Sequence, residues 1–143
     1  MLILPVISIL VDVSLVHPSS MALIAKWFIF WAIGIRLFMA GIVQVCNPAV
    51  TSEMLGADKK TDNSIIRELG FANISFGLVG IISLFVPAWR LVAAFSGGLF
   101  MGLCGMLHAI RNPVTLNESI AMISDIAIFF MAVIFMLYLC FSI

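Results

Sequence analysis

Four long stretches of this chain, about 21–45, 64–86, 89–110 and 118–141, are apolar with few interruptions. Each is long enough to cross a bilayer as a helix, which takes about 20 residues. A backbone inside a bilayer must satisfy its own hydrogen bonds, so such runs fold as helices. Over 143 residues, 64% are hydrophobic and 10% charged. A soluble domain carries about 25% charged residues. The composition therefore excludes a soluble globular fold and predicts one integral membrane domain over 1–143, all-α, a polytopic transmembrane helix bundle. The formal net charge is zero, which points to no nucleic acid or other strongly charged partner. The partner that composition does imply is the lipid bilayer.

A fifth apolar run, about 2–16, precedes these four core helices. It has no basic n-region and no A-x-A site, so it does not read as a cleaved signal peptide. At 1.5 Å per residue it reaches roughly 24 Å against a core of roughly 30 Å, which is marginal for a span. His17-Pro18-Ser19-Ser20 reads as a turn, with Ser19 or Ser20 capping the next helix. Between the second and third runs, Asn47-Pro48 starts and Gly56 stops a short interfacial helix over about 48–55. Ser64 is the cap expected for the third run, and Pro87 its end. Asn117 is the cap expected for the last, with Glu118 in its first turn, where the helix dipole favours negative charge. Lys59, Lys60, Arg67 and Arg111 lie on one side, Lys26 and Arg90 on the other. The positive-inside rule then puts loops 46–63 and 111–117 in the cytoplasm.

Several ionisable residues sit where hydrocarbon is expected. Counting 1.5 Å per residue from that side, Glu68 and His108 lie at roughly 5 Å, Asp125 at roughly 10 Å, Arg36 and Asn73 at roughly 13 Å, and Asp12 at roughly 16 Å. A charge there requires a partner, and Asp125 is the first choice for Arg36, before Asp12 and Glu68. Arg36, Glu68, Asn73, His108 and Asp125 are thus candidate ligand-binding residues of a polar pocket for a small molecule, ion or proton. In that pocket Arg36 would bind an anionic group or hold a carboxylate, with Glu68 and His108 as titratable gates and Asn73 orienting the ligand. The competing reading is a structural network that fixes helix register. Glu68 and Asn73 point some 140° apart on one helix, so Glu68 is the better functional candidate and Asn73 the better structural one.

No residue pattern identifies a reaction. Cys104 and His108 have the i,i+4 spacing of two metal ligands, but a site needs three or four. No metal or cofactor is therefore expected. Lys26 at a helix end and Lys59 and Lys60 in a loop do not suit a buried Schiff base. Ser96 lies too far from His108 to be activated by it. The three cysteines, Cys46, Cys104 and Cys140, are far apart and read as buried small apolar residues. Gly70, Asn73, Gly77 and Gly80 form one stripe, and Ala94, Gly98 and Gly102 another. Small residues let helices approach closely, so the two stripes are expected to face each other in a helical hairpin, or else to serve self-association.

The segment RELGFANISFGLVG (67–80), with His108, Asn112, Asn117 and Asp125 downstream, resembles an uncharacterised family of small bacterial and archaeal membrane proteins. That family is a domain of unknown function and loosely DoxX-like. Glu68, Gly70, Phe71, Ala72, Asn73 and Gly77 match its ExGFANxxxG core, and Pro48 and SEMLG (52–56) its first loop. The family pattern has a histidine near Gln44 and a tryptophan near Ala57; this chain has neither. The resemblance covers about 21–140 and implies a four-helix core. Two other functions stay open: a non-catalytic accessory or assembly subunit whose glycine stripes serve a membrane protein partner or homo-oligomer, and a DoxX-like membrane redox protein using a lipid-soluble cofactor.

Overall fold

The computed structural model describes residues 3–15, 21–54, 63–112 and 115–141. The turn expected at 17–20, the stop at Gly56 and the polar segment 58–62 lie outside the described residues. Within them the chain is all-α, with no strand. The helices are α1 (Ile3–Leu15), α2 (Met21–Cys46), α3 (Pro48–Met54), α4 (Asn63–Ile82), α5 (Trp89–Arg111) and α6 (Leu116–Phe141). Four of them, α2, α4, α5 and α6, are long and apolar enough to cross a membrane. At 13 residues, α1 is shorter than a span requires.

The central element is α2, which touches all five other helices. Its buried positions explain how. Ala25, Ile29, Ile33, Leu37 and Gly41 recur every fourth residue. In a regular α-helix that spacing would drift about 160° over its length. The drift is corrected by a π-helical run over Ile29–Ile35, whose wider turns keep these positions on one side. At its end the Arg36 N–H bonds to both Ile33 O and Trp31 O.

Bilayer lipid is as apolar as leucine, so burying large side chains gives no driving force between helices. Close van der Waals packing does. Accordingly the closest helix approaches are made at small residues, with Ile29, Ile33, Leu37, Met101 and Ile128 filling the core between them, while Phe71, Phe95, Leu103, Ile123 and Phe130 point outward. Along α2 and α4 the backbones approach at Gly34 against Gly80 and at Gly41 against Gly70. Gly77 lies against the Phe38 backbone. On α5, Gly98, Gly102 and Gly105 receive Ala132, Phe129 and Ile126 of α6, while Gly97 receives Ile33 of α2. The two glycine stripes therefore do not face each other as expected. Each has a different partner, and the bundle is assembled from an α2–α4 pair and an α5–α6 pair.

Three local expectations also change. Helix α4 ends at Ile82, four residues before Val86, because Ser83 Oγ donates to Gly80 O and the next bonds tighten into turns leading to Pro87. The N-terminal cap of α6 is Thr115, not Asn117: the Glu118 N–H donates to Thr115 Oγ1 at 3.1 Å. Cys46 is exposed rather than buried.

Thr115 has a second role. Its hydroxyl donates to Met54 O at 2.9 Å, tying the end of α3 to the start of α6. Thr115→Ala removes both bonds and is expected to cost about 1 kcal/mol, read as a lower unfolding temperature in detergent. Thr115→Ser should retain it.

A polar cavity between the helices

Across the bundle from their close partners, α2 and α6 touch only sparsely. A bridge holds them: Arg36 Nη2 lies 2.5 Å from Asp125 Oδ1, with both side chains largely buried. This is the pairing expected from depth along the helices. Above it, toward the Arg111 end, lies a cavity of about 260 Å³. Arg36, Asn73, His108 and Asp125 all line it. Helix α3 covers part of it through Thr51 and Met54, and Leu37, Phe100, Met101 and Leu107 supply an apolar wall.

Each polar side chain arrives by a specific route. Arg36 directly follows the π-helical run of α2. Asp125 sits where α6 passes Gly105 of α5, whose missing side chain leaves room for the Asp125 Cβ. Asn73 occupies the glycine stripe of α4 and is buried between helices. Its Nδ2 donates to Gln44 Oε1 on α2 at 2.6 Å, so Asn73 bonds across the α2–α4 seam rather than the α4–α5 seam. Its other polar atom, Oδ1, is buried with no hydrogen-bond partner among the described residues. A buried amide oxygen left without a donor is costly, typically about 1–3 kcal/mol.

Glu68 is the candidate not brought to the cavity. It is exposed, and the cavity wall on α4 is formed by Leu69 and Asn73. The partner of His108 is instead Glu118, which is 1% exposed. His108 Nδ1 lies 3.0 Å from Glu118 Oε1. The two side chains share one hydrogen bond, which links the end of α5 to the start of α6. From sequence, Glu118 sits in the first turn of its helix, where the dipole suits it, and shares a face with Asp125 seven residues on, but no partner is assigned to it. The missed signal was the pairing of two helix ends, His108 before the break and Glu118 after it.

Gln44, Thr51, Cys104 and Arg111 are further wall residues. Among the described residues, no three His, Cys, Asp or Glu side chains converge in a metal-like group. A second cavity, about 280 Å³, lies along the same α2–α6 seam at its other end. Its wall is apolar, from Met21, Ile24, Phe28, Met131 and Phe135 among others. Ile33, Met101 and Ile128 form a packed layer of the core. Ile33 and Ile128 line the apolar cavity and Met101 the polar one, so this layer lies between the two.

These features define a membrane-spanning helical bundle with a polar cavity in one half. The chain belongs to a family of unknown function, DUF6790, whose model matches residues 1–142. No curated protein and no solved structure matches it.

Proposed function

We propose that this protein binds a small molecule or ion in the cavity lined by Arg36, Asn73, His108 and Asp125. The observation that carries this reading is a cavity walled by the largely buried Arg36–Asp125 ion pair and by His108. A purely structural network closes on itself, because each unpaired buried group costs stability. This one leaves space open beside the ion pair. The packed layer of Ile33, Met101 and Ile128 beneath the cavity supports binding from one side rather than free passage. The cavity lies at the end carrying Arg67 and Arg111, which the positive-inside rule assigns to the cytoplasm.

Cys104 provides the test, because it lines the cavity and is only partly exposed. In detergent at mildly alkaline pH, a small water-soluble methanethiosulfonate should modify Cys104 in the folded protein. Exposed Cys46 serves as the fast reference, and Cys140 is replaced by serine. Modification of Cys104 only after denaturation would show a dry, closed interior and end this reading.

A further inference from the structure

Two spaces meet at the end of α3. On its inner side lies the polar cavity, which Thr51 and Met54 help to wall. On its outer side a surface groove of about 350 Å³ runs between α3 and the start of α6, lined by Val50, Glu53, Met54, Thr115 and Asn117. Met54 lines both spaces, so it stands between them. The groove carries polar side chains, whereas the edge of the cavity at Leu69 and Leu107 is apolar, and Leu107 is exposed on the lipid-facing surface. For a polar solute coming from water, the groove is therefore the polar approach.

The two sides of this boundary belong to different halves of the bundle. Helix α3 follows α2 after a single non-helical residue, Asn47, and packs against α2 and α4. Thr115 caps α6, which packs on α5. The halves are tied here by the hydrogen bond from Thr115 Oγ1 to Met54 O, 2.9 Å long. A threonine hydroxyl has one proton, and this bond uses it, while its oxygen accepts from the Glu118 N–H. One neutral hydrogen bond shifts an equilibrium between two arrangements only about fivefold. The far end of α3 is thus fastened to α6 by a contact that is easily made and broken.

We propose that the groove between α3 and α6 is the aqueous entrance to the polar cavity, and that Met54 and Thr115 form its gate. With the Thr115–Met54 bond made, the gate is shut and the two spaces stay separate. When the bond breaks, the Met54 end of α3 turns about Asn47 and the groove and cavity join. This rests on the reading of the cavity as a ligand site, to which it adds the way in and the residues that control it.

The experiment measures the rate at which the methanethiosulfonate modifies Cys104 in the folded protein, with Cys46 and Cys140 replaced by serine. Thr115→Asp separates the gate from the helix cap. An ionised carboxylate still accepts the Glu118 N–H and is a good cap, but it has no proton to donate to Met54 O. Labelling of Thr115→Asp should be about fivefold faster than in the parent, the effect of one hydrogen bond. Thr115→Ser keeps both bonds and should label at the parent rate. Val50→Trp, at an exposed position, fills the groove and should slow labelling severalfold. Leu69→Trp, at the lipid-facing edge, should leave the rate unchanged. Parent-like labelling of Thr115→Asp overturns the gate, as does an equal rise in Thr115→Ser, which would mean a loosened α6. Slowing by Leu69→Trp but not by Val50→Trp would place the entrance at the lipid-facing edge and overturn it too. A Cys104 that reacts at one rate in every variant defeats this inference alone, whereas one that reacts in none defeats the ligand-site reading beneath it.

Discussion

Asp125→Ala is expected to destabilise the folded protein by about 3–5 kcal/mol, since it leaves the Arg36 charge buried without its partner. The pair is the bridge between α2 and α6 where these helices otherwise touch sparsely. Arg36→Ala strands the Asp125 carboxylate and should cost a similar amount. Apolar replacement of both, as in the double variant Arg36→Met/Asp125→Leu, removes the desolvation cost of two charges together and should recover most of the loss. Thermal or denaturant unfolding of the wild type, Arg36→Met, Asp125→Leu and the double variant in one detergent closes the cycle. Additive losses in the double variant would mean that the two residues contribute separately. The conservative Asp125→Asn keeps the shape and tests the charge alone.

The second large effect is expected at Gly77. A methyl group there would meet the Phe38 backbone nitrogen and lie 2.7 Å from the Phe38 Cα. Backbone atoms in the middle of a spanning helix cannot turn aside, so α2 and α4 would have to separate. Gly77→Ala should therefore cost about 3 kcal/mol, the upper end for overpacking. Gly102→Ala is the control. Its methyl would lie 2.6 Å from Phe129 Cδ2, part of a side chain that can rotate away, so about 1 kcal/mol is expected. Both are read from unfolding in the same detergent. Equal losses would show that backbone approach is not what holds the α2–α4 pair.

Residue by residue, what could be read from the sequence followed from the reach of each signal. Apolar run length gave four spanning helices, because a bilayer imposes its thickness directly on the chain. Depth counting brought Arg36 to Asp125, because rise per residue is nearly constant and a buried charge needs a partner. The glycine stripes were visible as stripes, yet a stripe does not state what lies across it: those on α4 face α2, and those on α5 face α6. Glu68 was chosen for its charge near a membrane boundary, but its face of α4 is exposed. Glu118 is legible as a first-turn acid on the Asp125 face, but nothing in its position along the helix states that His108 lies across from it. The π-helical run of α2 is not legible, because residues 21–45 are apolar almost throughout and the four-residue spacing of Ala25, Ile29, Ile33, Leu37 and Gly41 emerges only from their burial. At α6, Thr115 and Glu118 carry the T-x-x-E spacing of a capping box, a stronger signal than Asn117 alone.

The proposed binding site requires that water and a ligand reach the level of Asp125 from one side only. Its most direct test is Cys104 labelling in sealed vesicles, with Cys46 and Cys140 replaced by serine and an impermeant methanethiosulfonate added to oppositely oriented preparations. Labelling should occur from the side bearing Arg67 and Arg111 and be absent from the side bearing Lys26 and Arg90. No labelling from either side, or equal labelling from both, would contradict it.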